Sequence, residues 1–379
     1  MLRNYLIIAC RTLVRNKVYT LVNVLGLSIG LAAAMLILLY TKDEVSYDGF
    51  HANRARLFRV TLQDFTPEGS LDYQSGITGY LQGPTFKAGV PEIQSFVRFK
   101  DHRNDMKRGS EVISQEVFFA DPDFFTAFSF PLVSGDPRTA LRSPGAVVIS
   151  EEMARKQFGT TDALGKTIFF KDGFTRASRF APHTVTGIAR PTPQNSSIRF
   201  DVLLPLLVPA EEMTYQLNWF SHSLNTFVLL RPNADVRAAE ARMNRVYAAS
   251  SKEAVREATE QWGIMGKREY RLQPFTAMHL SREFPAVNGL VNASNPVYSY
   301  ILSGLALFIL LIACINFVNL TVARSLKRAR EIGIRKVIGG GRKQLIVQFL
   351  GESFLLCGVA FAGAVGLVEL VLPTFNGLS

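Results

Sequence analysis

No ionisable charge interrupts the chain between Lys17 and Lys42, and residues Val18–Tyr40 read VYTLVNVLGLSIGLAAAMLILLY. At about 1.5 Å per residue, a helix of that length crosses the roughly 30 Å hydrocarbon core of a bilayer with some tilt. A second uncharged run covers Ser299–Ala323, and a third, Phe354–Pro373, holds one acid, Glu369, near its far end. Each run predicts a transmembrane helix. The first begins like a signal peptide, with Arg3, Arg11, Arg15 and Lys17. Its apolar stretch exceeds the about 7–15 residues of a cleavable core, and no A-x-A site follows, so an uncleaved anchor is expected.

The composition fits such a mixture. It is 48% hydrophobic and 19% charged, with a mean hydropathy of +0.14, too apolar for a typical soluble chain and too polar for one embedded throughout. Three apolar segments joined to an ordinary globular stretch account for both.

The net charge of +11 is concentrated rather than spread. Residues 1–17 carry four Lys/Arg and no acid, and 324–343 carry eight against Glu331 alone, whereas 42–298 hold 30 basic and 28 acidic residues. Basic residues gather in short cytoplasmic segments flanking spans. That rule places the N-terminus and the 324–343 loop inside and 42–298 outside. Nucleic-acid binding loses its support, because the basic residues flank the spans instead of covering a folded surface. The three cysteines, Cys10, Cys314 and Cys357, lie in or beside apolar segments, so no disulfide framework is expected outside.

The long middle segment reads as a soluble α+β fold. Leu57–Leu62, Ala146–Ile149, Thr167–Phe170, His183–Ile188, Val202–Leu204 and Thr226–Leu230 are short strand-like runs. Ser150 is a plausible N-cap before EEMARKQF, and Asp235–Thr259 reads as one helix by composition and spacing. Strands and helices interleave without strict βαβ order. Gly165-Lys166-Thr167 resembles the end of a phosphate-binding loop, but the glycine required five residues earlier is Thr160, so a turn into a strand is the better reading. His51, His102, His183, His222 and His279 show no metal-ligand spacing, and this segment has no G-x-S-x-G elbow.

More specific patterns lie at the spans. A basic amphipathic stretch (Arg3-Asn4-Tyr5 to Arg15-Asn16-Lys17) precedes Asn23-Val24-Leu25-Gly26-Leu27-Ser28-Ile29-Gly30. The middle segment has Val147-Val148-Ile149-Ser150-Glu151, Ala154, Phe158-Gly159, Leu164-Gly165-Lys166 and Val185-Thr186-Gly187-Ile188. After the second span comes Arg330-Glu331-Ile332-Gly333-Ile334-Arg335-Lys336-Val337-Ile338-Gly339. Together these resemble the MacB/FtsX-type ABC transporter permeases, whose cytoplasmic loop carries R-E-I-G-I-R-x-x-x-G-A; Gly340 stands where Ala is usual.

The resemblance implies a membrane α-helical chain with a large α+β extracytoplasmic domain inserted between helices 1 and 2. Its parts would be a cytoplasmic basic helix (1–17), a first span (18–41), a MacB-like periplasmic core domain (42–298), a second span (299–323), a cytoplasmic coupling segment (324–345), a third span (346–373) and an extracytoplasmic end (374–379). Four spans form the family unit, so a fourth helix is expected beyond this sequence. The implied setting is the bacterial inner membrane. The implied work is mechanotransmission: a separate ABC ATPase, binding the ATP and Mg, drives this non-catalytic subunit to export a peptide, drug or lipoprotein-like substrate. Arg328, Arg330, Glu331, Ile332, Gly333, Ile334, Arg335, Lys336 and Gly339 would meet that ATPase. Further implied partners are a second permease copy or repeat, a periplasmic adaptor and an outer-membrane channel.

Physical reading of the residues runs beside this. A short helix at 328–338, tied to two spans, would move both when pushed, and it mixes apolar Ile332, Ile334, Val337 and Ile338 with cations. Alternatively the cations only hold anionic headgroups of the lipid bilayer, at about 1 kcal/mol each. Gly26 and Gly30, continuing to Ala34, and Gly358, Ala362 and Gly366 are small residues four apart, a spacing that lets helices approach closely. No ATP-binding motif occurs in the sequence. The competing classes are a sensory receptor with an extracytoplasmic ligand-binding domain and a membrane-anchored enzyme.

Overall fold

The computed structural model describes residues 11, 13–171, 179–207, 217–263, 266–291, 293–327, 333–334, 337 and 342–376. The chain divides into two compact units, Ser46–Asn295 and a membrane-type unit made of the segments before and after it.

The membrane-type unit holds three helices long and apolar enough to cross a bilayer. They are α1 (Lys17–Val45), α7 (Pro296–Lys327) and α8 (Arg342–Asn376). Each overruns its apolar stretch: α8 begins twelve residues before Phe354 and carries Pro373 within its last turn. Most of the basic stretch at 1–17 lies outside the described residues.

The other unit is one mixed sheet of eleven strands flanked by helices, the α+β arrangement expected. Its main path runs β11–β1–β10–β3–β4–β9–β6–β8–β5. These strands are β1 (Leu57–Phe65), β3 (Ile93–Arg108), β4 (Glu111–Ala120), β5 (Leu132–Ser134), β6 (Ala146–Ser150), β8 (Phe180–Ala189), β9 (Val202–Pro205), β10 (Asn225–Leu230) and β11 (Arg268–Pro274). Off the path, β2 (Leu71–Ser75) pairs with β1, and β7 (Thr167–Lys171) pairs with β3 and β8. Pairing is antiparallel except for β4 with β9 and β6 with β8.

The continuous apolar reading of TFVLL follows from burial on both sheet faces. On β10, Phe227 and Leu229 enter a phenylalanine-rich core with Phe99, Phe124, Phe128 and Phe275. The alternate residues Val228 and Leu230 enter a second core with Phe86, Met243 and Tyr270. The second core is covered by α2 (Gln82–Gly89) and α5 (Val236–Ser250), and α3 (Phe124–Ala127) supplies the first. A third core sits under α4 (Glu151–Phe158), around Val147, Ile149, Met153 and Val185.

Ser150 caps α4 as its sequence implies, its Oγ accepting from Met153 N at 3.0 Å. The stretch expected as one helix over 235–259 is two: α5 ends at Ser250 and α6 (Lys252–Trp262) follows. At the break, buried Ser251 donates both its N–H and its hydroxyl to Tyr247 O, at 2.8 and 2.7 Å, a back-bond that bends helices. Gly165-Lys166-Thr167 is a turn: Gly165 sits at φ +77, its N–H donates to Val185 O, and the chain enters β7.

Candidate functional site

In the membrane-type unit, α1 packs along both other helices, and its N-x-x-G-L-x-I-G stretch makes the contacts. A Cβ at Gly30 would lie 2.6 Å from Ala313 Cβ, and one at Gly26 would lie 3.3 Å from Asn316 Nδ2. These two glycines therefore face α7 and set how closely the backbones approach. Leu27 joins Ala313 and Ala360 in a cluster with one residue from each helix. Ser28 donates from Oγ to Ala360 O at 2.8 Å, a buried bond between α1 and α8. Tyr19 Oη and Thr321 Oγ1, 3.2 Å apart, add a polar tie between α1 and α7. Gly26-Leu27-Ser28-Ile29-Gly30 happens to spell G-x-S-x-G, but it lies inside a helix rather than on the strand-to-helix turn a nucleophile needs.

The third helix uses a different row from the small-residue row at Gly358, Ala362 and Gly366. Its buried residues recur every four: Gln348, Glu352, Leu356, Ala360, Ala364 and Val368. At 100° per residue the small-residue row is two positions, about 200°, away from that ridge. Among the described residues no atom lies within 4 Å of a Cβ added at Gly358 or Gly366, and Ala362 is exposed. Instead Gly363 faces Ser28, whose Oγ would lie 2.8 Å from an added Cβ. Sequence spacing alone gave no means of finding Ser28 or the 356–368 row, because alanine and glycine populate every face of this helix.

Of the basic coupling segment, Arg328, Arg330, Glu331, Ile332, Arg335, Lys336 and Gly339 lie outside the described residues. Gly333, Ile334 and Val337 are helical and exposed, Val337 by 89%.

The unit beginning at Ser46 opens on a turn carrying two buried ionisable groups. Asp48 has φ +57 and is fully buried, with Oδ1 accepting from Ser197 N at 2.8 Å. Burial pushes its carboxyl up to about 6. His51 sits among Phe50, Phe130, Phe275 and Phe128 with ring centroids 4.0, 4.9, 5.2 and 5.7 Å away. Its Nδ1 accepts from Ser129 N at 2.9 Å, and burial in this apolar cage lowers its pKa to about 4. The imidazole is therefore neutral at ordinary pH, with its proton on Nε2. Tyr47 stacks flat on His279, centroids 3.4 Å apart. Among the described residues no three His, Cys, Asp or Glu side chains group as a metal site.

Three apolar helices and a sheet domain inserted between the first two define a polytopic membrane protein built around one extramembrane domain. The MacB-like periplasmic core domain family matches residues 20–246, and the FtsX-like permease C-terminal family matches 303–379. The chain belongs to the MacB/FtsX-type ABC transporter permeases, inner-membrane proteins with a periplasmic domain. It is 28% identical over 230 residues to the macrolide export ATP-binding/permease protein MacB of Neisseria gonorrhoeae, covering 61% of this chain and 31% of that protein. It is 22% identical to MacB 1 of Yersinia pseudotuberculosis over 99% of this chain and 54% of the relative. The chain thus spans between a third and about half of the relatives' length. Among solved structures, a permease-protein domain from Porphyromonas gingivalis covers 66% of this chain and 98% of its own, at 23% identity and a TM-score of 0.49. The periplasmic region of MacB from Actinobacillus actinomycetemcomitans covers 57% and 88% at 14% identity, with a TM-score of 0.36.

Proposed function

We propose that this chain is a permease subunit that passes motion from a separate ATPase to its periplasmic domain, for extrusion of a peptide, drug or lipoprotein-like substrate. The reading is supported by the packing of α1. That helix touches α7 and α8 at once, through Gly30 against Ala313 and Ser28 against Ala360. The periplasmic domain is tethered in sequence to α1 at one end and α7 at the other. A push on the segment joining α7 to α8 therefore reaches both tethers.

The basic residues 324–343 and the cationic N-terminus favour the cytoplasmic side for that segment. Arg328, Arg330, Glu331, Gly333, Arg335, Lys336 and Gly339 would meet the ATPase, with Ile332, Ile334, Val337 and Ile338 as the segment's apolar docking edge. ATP and Mg would be bound there, by another subunit. A second permease copy, a periplasmic adaptor and an outer-membrane channel would complete the assembly.

The test is co-purification from native membranes. An ATPase should accompany the wild-type chain and be lost, together with its stimulated hydrolysis, in Glu331→Lys and Arg335→Glu. Unchanged recovery and unchanged stimulation in both variants would overturn the docking assignment. Labelling of a cysteine placed at Val337 by an impermeant reagent from outside the cell would overturn the orientation.

A further inference from the structure

The periplasmic-type domain carries a groove of about 740 Å³ between α5, the start of α6 and the outward face of β11. One wall is the helix row Arg237, Ala241, Asn244, Ala248 and Lys252. The opposite wall is Lys267, Glu269 and Arg271, alternate residues whose side chains share one face of the strand. The two walls are pinned together. Asn244 donates from Nδ2 to Tyr270 O and accepts at Oδ1 from Tyr270 N, at 3.0 and 2.7 Å. Glu240 accepts from Leu272 N at 2.8 Å. The groove is therefore a rigid, preformed feature and not a gap between loose elements.

Its charges do not balance. The lining holds five cations and only two carboxylates. Both carboxylates are engaged: Glu269 pairs with Lys267 at 2.5 Å and Arg271 at 2.6 Å, and Glu240 lies 3.6 Å from Arg271 besides its bond to β11. Arg268 is held by Asp64 at 2.7 Å. Arg237 and Lys252, both exposed, make no ion pair among the described residues. They stand at the two ends of the wall: α5 advances about 20 Å by helical rise from Arg237 to Ser250, and Lys252 lies just past the break at Ser251. Between them the wall is lined by small Ala241 and Ala248, which leave room for a backbone to lie close.

We propose that this groove binds an extended acidic peptide segment of a partner protein, with carboxylates at its two ends meeting Arg237 and Lys252. An extended chain advances about 3.3 Å per residue, so six steps span about 20 Å, and residues an even number apart share a face. The matching segment therefore has acids at positions i and i+6 with small residues between. A compact anion reaches only one of the two unpaired cations at a time, which is why an extended ligand fits better.

The experiment uses the purified full chain in nanodiscs and a fluorescein-labelled heptapeptide with Glu at both ends and Ser and Ala between. Fluorescence anisotropy should show it binding at least about tenfold more tightly than the same peptide with terminal Lys, the scale of two exposed ion pairs turned into repulsions. Raising the salt to 0.5 M should weaken binding, since exposed pairs are screened. In the double variant Arg237→Glu with Lys252→Glu, both at exposed positions, the preference should invert in favour of the lysine peptide. The proposal is overturned if the wild type does not distinguish the peptides, or if the double variant keeps the original preference. It is equally overturned if citrate displaces the peptide at its own peptide-equivalent concentration, or if a peptide with both Glu residues adjacent binds as tightly, because either result marks a general anion patch.

Discussion

Substituting Gly30 by valine should loosen the three-helix unit, whereas the chemically identical change at Gly358 should not. A Cβ at Gly30 would sit 2.6 Å from Ala313 Cβ, while none of the described atoms lies within 4 Å of one at Gly358. Carbon atoms pack best at about 3.5–4.0 Å, so α1 and α7 must separate by roughly 1 Å to admit even the first carbon. Overpacking of this kind costs about 1–3 kcal/mol. A gap of that size also forfeits a quarter to a half of each dispersion contact along the seam. An exposed substitution stays within about 0.5 kcal/mol. Both variants add the same apolar groups to an apolar helix, so the pair isolates packing from hydropathy. The assay is titration of mixed micelles with dodecyl sulfate, following energy transfer between dyes on Cys314 of α7 and Cys357 of α8 in a Cys10→Ser background. Gly30→Val should lose transfer at a clearly lower detergent fraction than wild type, and Gly358→Val at the wild-type fraction. Equal shifts, or a larger shift for Gly358→Val, would refute the helix packing described above.

Three further outcomes follow from the geometry. The raised Asp48 pKa, about 6, gives stability that is present below about pH 4 and lost as pH rises through 6; the lowered His51 pKa, about 4, gives stability present above pH 6.5 and lost as pH falls through 4. The two nearly cancel in the wild type. Asp48→Asn, a residue tolerated at positive φ, should therefore raise stability at pH 7.5 by up to about 3 kcal/mol and leave a fall of similar size between pH 6.5 and 4, read from buried Trp219 fluorescence in urea. Ser28→Ala removes the buried bond to Ala360 O and should cost about 1 kcal/mol in the same mixed-micelle titration, without the steric signature of Gly30→Val. Ser150→Ala should lower the urea midpoint of the sheet domain by the equivalent of about 1 kcal/mol or more, and Ser150→Asp should not restore it, because the buried Oγ both accepts from Met153 N and donates to Asp201 Oδ1, which a second carboxylate would repel.

The sequence exposes an element when burial writes a pattern into it, as a period or as an unbroken apolar run. The strands β6, β9 and β10 are buried at every position, and their runs of Val, Ile and Leu were legible for that reason. The hairpin of β3 and β4 was not. Its ladder runs from Phe99–Ala120 to Arg108–Glu111, and on the β3 side from Asp101 to Arg108 the residues are polar and at most half-buried except Met106. Nothing in KDHRNDMKR distinguishes such a strand from a loop; the partner strand decides it. The break at Ser251 was hidden because serine is compatible with both a helix interior and a turn, and the burial of this serine is a tertiary outcome. In the spans, glycine spacing identified the contact face on α1 but could not on α8, where alanine occupies the row that is buried and glycine much of the row that is not.

The position of β1 within the sheet has a consequence for biogenesis. The end of β1 at Leu62–Phe65 pairs with the neighbouring β2, but its remaining partners, β10 and β11, follow it by some 160 and 210 residues, so most of its ladder stays open when it leaves the ribosome. Residue 274 must be synthesised first, a wait of about 10–40 s at ordinary elongation rates of about 5–20 residues per second. Throughout that interval the anchor helix is already available for insertion while Leu57, Val60 and Leu62 are without their final cover. The nascent domain is then a tethered segment whose first strand lacks its long-range partners, and its correct maturation depends on what shields that strand until the last one arrives.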